Sequence, residues 1–377
     1  MRWFRFVFSL IIVVTVVTGC FINNGTKTID KQPSLRFVND LTKGKIDQLY
    51  TDNSTIQPID LDDRSIQTVG DWYNDTTILF ITNENEGSIV YKHNIYSGKK
   101  EQLYKSNSEI STIKGNHNQS YFLLHTLPTT YEAEIIIVDK EGKEVFKWAT
   151  GSYELNYEWN PYNPELLYVT TFFADWSFET YLLNVSKQSV EESTIDIPFI
   201  QWAGIEEVTY LKWNQDEPSY SAPLYEQNLQ MKQERHLIED VSMYATTNNL
   251  LMTITTDDDS IAYYSFYQTS PIKKMTQMEI PLLALYSQWF FPYFDFIESK
   301  DEFITFAPYG SGNYDNYHDD FELITYSVLT GEKKLILSNI PNLPINMSPN
   351  GELCLYGYYN EKIINLNNNK IYELVQL

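Results

Sequence analysis

The chain has 377 residues, a net charge of −23 and 43% hydrophobic residues, with 29 tyrosines and 20 phenylalanines. Such an acid-rich balance excludes nucleic acids and other polyphosphates as partners, because phosphate recognition needs stripes of lysine and forked arginine contacts. The chain is long enough to bury a sizeable core, and its aromatic content with scattered Gly and Pro suits short strands and turns rather than helices.

Residues 1–19 have the three parts of an export signal. Arg2 and Arg5 give a positive start, and Phe6 to Val17 is an apolar run broken only by Ser9 and Thr15. At about 1.5 Å per residue that run is too short to span a bilayer. It ends in Val17-Thr18-Gly19-Cys20, which resembles the lipobox of bacterial lipoproteins. The resemblance implies that the Cys20 thiol is diacylated and becomes the mature N-terminus, holding the chain to the cell membrane outside the cytoplasm. Two acyl chains suffice for stable anchoring. After Cys20 only Cys354 remains, inside the apolar run Leu353–Tyr356, so no disulfide can form and Cys354 is expected to be a buried small hydrophobe. Residues 20–34 are polar and predict a flexible linker reaching roughly 20 Å. The folded domain is expected over 35–377.

From residue 65 onward an apolar strand recurs. The copies start at Ile78, Tyr121, Leu166, Val208, Leu250, Phe303 and Leu353, 42 to 53 residues apart. Each is followed by a loop, another strand, a tight turn and a last strand. The turn is clearest at Ser97-Gly98-Lys99, Glu141-Gly142-Lys143 and Thr330-Gly331-Glu332. Tyr91, Asn94, Ile95 and Leu103 recur at the same spacing as Tyr225, Asn228, Leu229 and Leu237. A period of this length without helical periodicity predicts an all-β fold, a β-propeller of seven blades. Glu226–His236 is rich in helix formers, and a helix there would leave six blades. Residues 35–64 precede the first unit and are expected to help close the ring.

Met347-Ser348-Pro349-Asn350-Gly351 and Trp159-Asn160-Pro161-Tyr162-Asn163-Pro164 resemble the turn that leads into strands of TolB-like propellers. The whole chain, signal included, resembles the YqgU-like lipoproteins of bacilli. That resemblance implies a propeller and transfers no functional residue, because these turns are structural.

Catalytic signatures such as G-x-S-x-G, H-E-x-x-H, C-x-x-C and a Gly-rich phosphate loop are missing from the sequence. No catalytic residue, metal or cofactor is expected. Alternating strand direction brings the loops after the second strands, and the crossings between blades, to one face. These segments include Trp176 and the long loop 307–320, with Tyr309, Tyr314, Asp315, Tyr317, His318 and Asp319. They predict an acidic, aromatic face suited to sugars or cationic ligands. The loop 307–320 is expected to serve binding rather than stability, whereas the aromatic stretch Tyr286–Phe294 is expected to be core. The functional expectation is a monomeric binding or scaffolding module for a protein or glycan partner. The alternative is a carbohydrate-active enzyme using carboxylates at the channel mouth.

Overall fold

The computed structural model describes residues 55–60, 66–84, 87–214, 216, 219–257 and 260–375. The export segment, Cys20, the linker expected over 20–34 and residues 35–54 lie outside the described residues. Among the described residues there is no α-helix, and two three-residue 3-10 turns, Glu298–Lys300 and Tyr314–Asn316, interrupt a succession of strands.

Those strands form seven four-stranded antiparallel sheets, covering 66–106, 109–151, 154–192, 201–241, 243–281, 294–340 and 345–373, and one small three-stranded sheet of Leu283–Ala284, Trp289–Phe290 and Gly312–Asn313. The four-stranded sheets are numbered here as blades 1 to 7, and the first strand of each lines a common central channel. The chain from Glu226 to His236 is not a helix. It runs from the end of the strand Ala222–Asn228 through a turn into Glu234–Val241. Cross-strand pairing and burial of Leu224 override the local helix propensity there.

The second strand of a blade is sandwiched between two neighbours, and this explains its unbroken apolar run. Thr77–Asn83 is buried at six successive positions. Ile78 and Phe80 point into the wedge between blades 7 and 1, while Leu79 and Ile81 point into the wedge between blades 1 and 2. A strand with period-two side chains must be apolar throughout when both of its faces are covered. The core is therefore divided into hydrophobic wedges, one at every blade interface. Cys354 is fully buried in the wedge between blades 6 and 7, as its apolar run predicts.

Among the described residues no strand is exchanged between the first and last blades, and the seam closes through side chains, one backbone bond from the Val69 N–H to Tyr359 O (3.1 Å) and one strap. Ile56 and Ile59 are buried among Trp72, Leu355 and Leu374. The Gln57 N–H donates to Ile95 O in blade 1 (2.6 Å), and the Ile59 N–H donates to Leu374 O after blade 7 (2.8 Å). The part of 35–64 that is described thus bridges the closing seam.

The hairpin between the third and outermost strands recurs with one chemical device. The Asn94 side chain accepts from the N–H groups of Tyr96 (3.2 Å) and Ser97 (2.9 Å), and Asn228 accepts from Gln230 (3.0 Å) and Met231 (2.8 Å). Each turn then closes through a residue with positive φ, Gly98 or Lys232. Asn folds the backbone back on itself, and this is why it recurs at fixed offset from the turn.

The turn Ser348-Pro349-Asn350-Gly351 docks blade 7 onto both neighbours. The Asn350 N–H donates to Asp75 Oδ1 (2.9 Å) in blade 1, and Lys300 Nζ donates to Gly351 O (2.7 Å) from blade 6. Gly351 has φ +68°, and a Cβ there would lie 2.1 Å from Ile297 Cγ2. Gly351→Ala is expected to cost about 2 kcal/mol, from left-handed strain and the displaced isoleucine. Thermal unfolding several degrees lower checks this; an unchanged midpoint would mean the turn tolerates a side chain.

Candidate functional site: a polar channel and an acidic aromatic face

Four of the seven innermost strands carry a polar-then-aromatic pair: Asp71-Trp72, Glu158-Trp159, Gln201-Trp202 and Asp295-Phe296. The alternation of a strand turns the first residue toward the channel and the second into the packing between blades. The polar member reaches forward around the ring. Asp71 Oδ2 accepts from the Gly115 N–H (2.9 Å), Gln201 Oε1 from the Thr246 N–H (2.6 Å) and Asp295 Oδ2 from the Met347 N–H (2.7 Å), each on the next blade. The tryptophan reaches backward. Trp72 Nε1 donates to Asn346 O and Trp202 Nε1 to Glu158 O, both at 3.0 Å. Neighbouring blades are thereby tied through the very residues that line the channel.

The channel is a cavity of about 790 Å³. At the level of these pairs its wall carries Asp71, Lys114, Glu158, Thr246, Asp295 and Asn346. Lys114 Nζ sits 3.9 Å from Asp71 Oδ2, and about half of its side chain is reached by water inside the channel. The Asp71 carboxylate raises the lysine's pKa against the opposing effect of burial. Burial pushes the Glu158 carboxyl up to about 7, with the Lys114 charge pulling the other way. Asp295 is also raised by burial, opposed by the N–H groups of Met347 and Phe296. Glu158 can therefore exchange a proton near neutrality, which is the property a general acid needs.

One mouth of the channel is crossed by contacts, two of which join blades that are not neighbours. His117 Nε2 of blade 2 lies 3.3 Å from Glu298 Oε2 at the end of the innermost strand of blade 6. The Thr247 hydroxyl of blade 5 donates to Glu298 Oε1. The Asn249 N–H of blade 5 donates to the Tyr162 hydroxyl of blade 3 (3.1 Å). Among the described residues no three His, Cys, Asp or Glu side chains converge to hold a metal.

The residues singled out from sequence lie on the opposite face. Trp176 caps the turn between the second and third strands of blade 3, with φ 65°, whereas Tyr309, Tyr314, Asp315, Tyr317, His318 and Asp319 all belong to blade 6. They share a face but are not drawn into one cluster. The loop 307–320 is also built into the fold rather than set aside from it. Gly312–Asn313 pairs with Leu283–Ala284, the Tyr314 ring stacks on Phe290 at 4.0 Å, and the Tyr317 hydroxyl donates to Asp320 O (3.0 Å). Tyr317 packs against the wedge between blades 6 and 7. Of the stretch expected to be core, Phe290 is half-buried, whereas Tyr286 is 97% exposed.

This face is aromatic throughout. Every exposed aromatic among the described residues lies on a loop after a second strand or on a crossing between blades, including Tyr131, Phe199, Trp213, Tyr286, Tyr309 and Tyr358. The same segments carry one basic side chain, Lys212, against carboxylates such as Asp175, Asp216, Asp257 and Asp315. Lys212 is itself paired with Glu234 at 2.8 Å.

A closed ring of antiparallel blades around a polar channel defines a β-propeller. The chain belongs to the family described as "YqgU-like 6-bladed beta propeller domain", whose model matches residues 94–357. That description counts six blades, where the described residues hold seven four-stranded sheets. A relative in Bacillus subtilis, named "Uncharacterized lipoprotein YqgU", is 27% identical over 81% of this chain and 83% of its own length. With the family, this makes the chain a lipoprotein propeller. The fold is also similar to the crystal structure of uncharacterized protein lmo1340 from Listeria monocytogenes EGD-e. That match has a TM-score of 0.78 and 24% identity, over 85% of this chain and 98% of that one. The tricorn protease matches at TM-score 0.51 and 10% identity, over 84% of this chain and 35% of that one. These likenesses concern the fold.

Proposed function

We propose that the protein is anchored through a diacylated Cys20 outside the cytoplasm and uses the acidic aromatic face to hold a protein or glycan partner that presents positive charge. The supporting observation is the one-sided placement of the exposed aromatics together with an almost complete lack of lysine and arginine in the same loops. Tyrosine faces attract cations and stack on sugar rings, and surrounding carboxylates add charge complementarity. The test is titration with a labelled oligolysine peptide and with an oligosaccharide in amine-bearing and N-acetylated forms. The cationic probes should bind and weaken with salt, and Tyr286→Ser with Tyr358→Ser should weaken them about tenfold, equivalent to about 1.4 kcal/mol. Equal binding of all probes, or no change in the double variant, would remove the reading.

The enzyme alternative draws on Glu158, a carboxyl titrating near 7 within a channel that also holds Asp71 and Asp295. Turnover of chromogenic glycosides that disappears in Glu158→Gln would establish it, and no turnover by the intact chain would dismiss it.

A further inference from the structure

We infer that the face carrying the outer hairpins lies against an anionic lipid bilayer, so that the acidic aromatic face points away from the membrane. The inference rests on the reading of Cys20 as the anchor point. Each hairpin between a third and an outermost strand carries at least one exposed lysine at or beside its turn: Lys99, Lys143, Lys187, Lys232, Lys273, Lys333 and Lys370. In a chain of net charge −23 this is a segregated distribution, because the loops of the other face hold only the paired Lys212.

The described chain also begins on the hairpin side. Gln57 donates its N–H to Ile95 O beside the first hairpin, and His93 Nε2 lies 2.9 Å from Gln57 O. The described chain thus enters the ring from this side at Thr55–Gln57. The inner turns of the same face do carry carboxylates, two of which are engaged. Glu298 meets His117 and Thr247, and Glu207 Oε1 accepts from Asn228 Nδ2 (2.8 Å). The lysines lie on the outer rim, where Glu101, Glu141, Glu144 and Glu332 stand among them and Lys99 is paired with Glu101.

An anionic leaflet attracts lysines only within a Debye length, about 8 Å at physiological salt. The rim lysines reach that zone together only when the ring lies flat, hairpins down. The reverse orientation would press Asp175, Asp216, Asp257 and Asp315 against like charge. A tether supplies proximity but no orientation, and the charge segregation supplies the orientation.

The test couples the chain through the Cys20 thiol to a maleimide lipid, so that attachment does not depend on acylation in the cell; Cys354 is buried and does not compete. Lysine acetylation is then followed by mass spectrometry on phosphatidylglycerol and on phosphatidylcholine vesicles. Lys143, Lys187, Lys273 and Lys333 should be labelled at least threefold more slowly on phosphatidylglycerol, with Lys212 unaffected, and 1 M salt should abolish the difference. A variant with Lys143→Glu, Lys187→Glu and Lys333→Glu, unchanged in far-UV circular dichroism, should lose the protection at Lys273. Equal labelling on both lipids, or slow labelling of Lys212 alone, overturns the inference. Whether Cys20 is acylated in the cell is read separately, from the acyl labelling of wild type and Cys20→Ala.

Discussion

Asp71→Ala is expected to destabilise the fold by about 3 kcal/mol, the largest effect of any single channel substitution. The carboxylate is 8% exposed and serves three blades at once. It accepts from the Gly115 N–H of blade 2, from the Trp72 N–H of its own strand, and from Asn346 Nδ2 of blade 7 (3.0 Å). It also faces the Lys114 ammonium. Alanine would strand the Gly115 N–H and leave Lys114 without its nearest counter-charge. Breaking a buried ion pair costs about 3–5 kcal/mol; here the charges stand 3.9 Å apart, so much of the cost comes from the N–H donors left unpaired. Water around Lys114 places this site at the lower end of that range. Asp71→Asn keeps an acceptor oxygen and most of the shape, so it should lose about half as much. Urea denaturation measures both. A loss below about 1 kcal/mol for alanine would mean that hydrophobic wedges alone close the ring.

The position of Asp71 also explains what the sequence could reveal and what it could not. The second strands were legible because burial on both faces leaves no polar alternation to blur them, as in Thr77–Asn83. The hairpins were legible because a positive φ restricts residue choice at Gly98, Gly142 and Gly331. The channel wall imposes no such restriction. Asp71, Lys114, Glu158, Gln201, Thr246, Asp295 and Asn346 occupy equivalent places with different chemistries. Their signal was a polar residue recurring at 43 to 51 residues, followed by an aromatic in four of the seven copies, which single strands as short as Gln201–Trp202 conceal. The cross-mouth contact of His117 with Glu298 joins blades that are distant in sequence, so only closure of the ring reveals it. The loop 307–320 lies after a second strand, as its place in the repeat implies, but its pairing with Leu283–Ala284 is parallel and non-local, and local turn chemistry does not encode that. Cys20, by contrast, is legible only in the sequence.

The other large effect concerns pH. Glu158 ionises near 7 in the folded ring and near the ordinary 4.5 when unfolded, because the folded channel disfavours its charge. Between those values the native state holds more protons than the unfolded state, so stability falls as pH rises through this window. A shift of this size corresponds to about 3 kcal/mol at 1.36 kcal/mol per unit, and water in the channel reduces it to about 1–2 kcal/mol. Glu158→Gln removes the ionisation while retaining volume. The variant should therefore match the wild type at pH 4 and exceed it by about 1–2 kcal/mol at pH 8. The difference between the two proteins is the informative quantity, because other groups titrate as well. Asp295 and Glu298, raised by burial, slope the same way. His125, lowered to about 4 by burial, slopes the opposite way between about 4 and 6.5, and His93 is lowered too. Subtracting the variant cancels all but the Glu158 contribution and its coupling to Lys114. Urea midpoints at half-unit pH steps would trace it. A difference that stays flat from pH 4 to 8 would show that Glu158 is hydrated as freely in the channel as outside it, and the channel would lose its candidate proton donor.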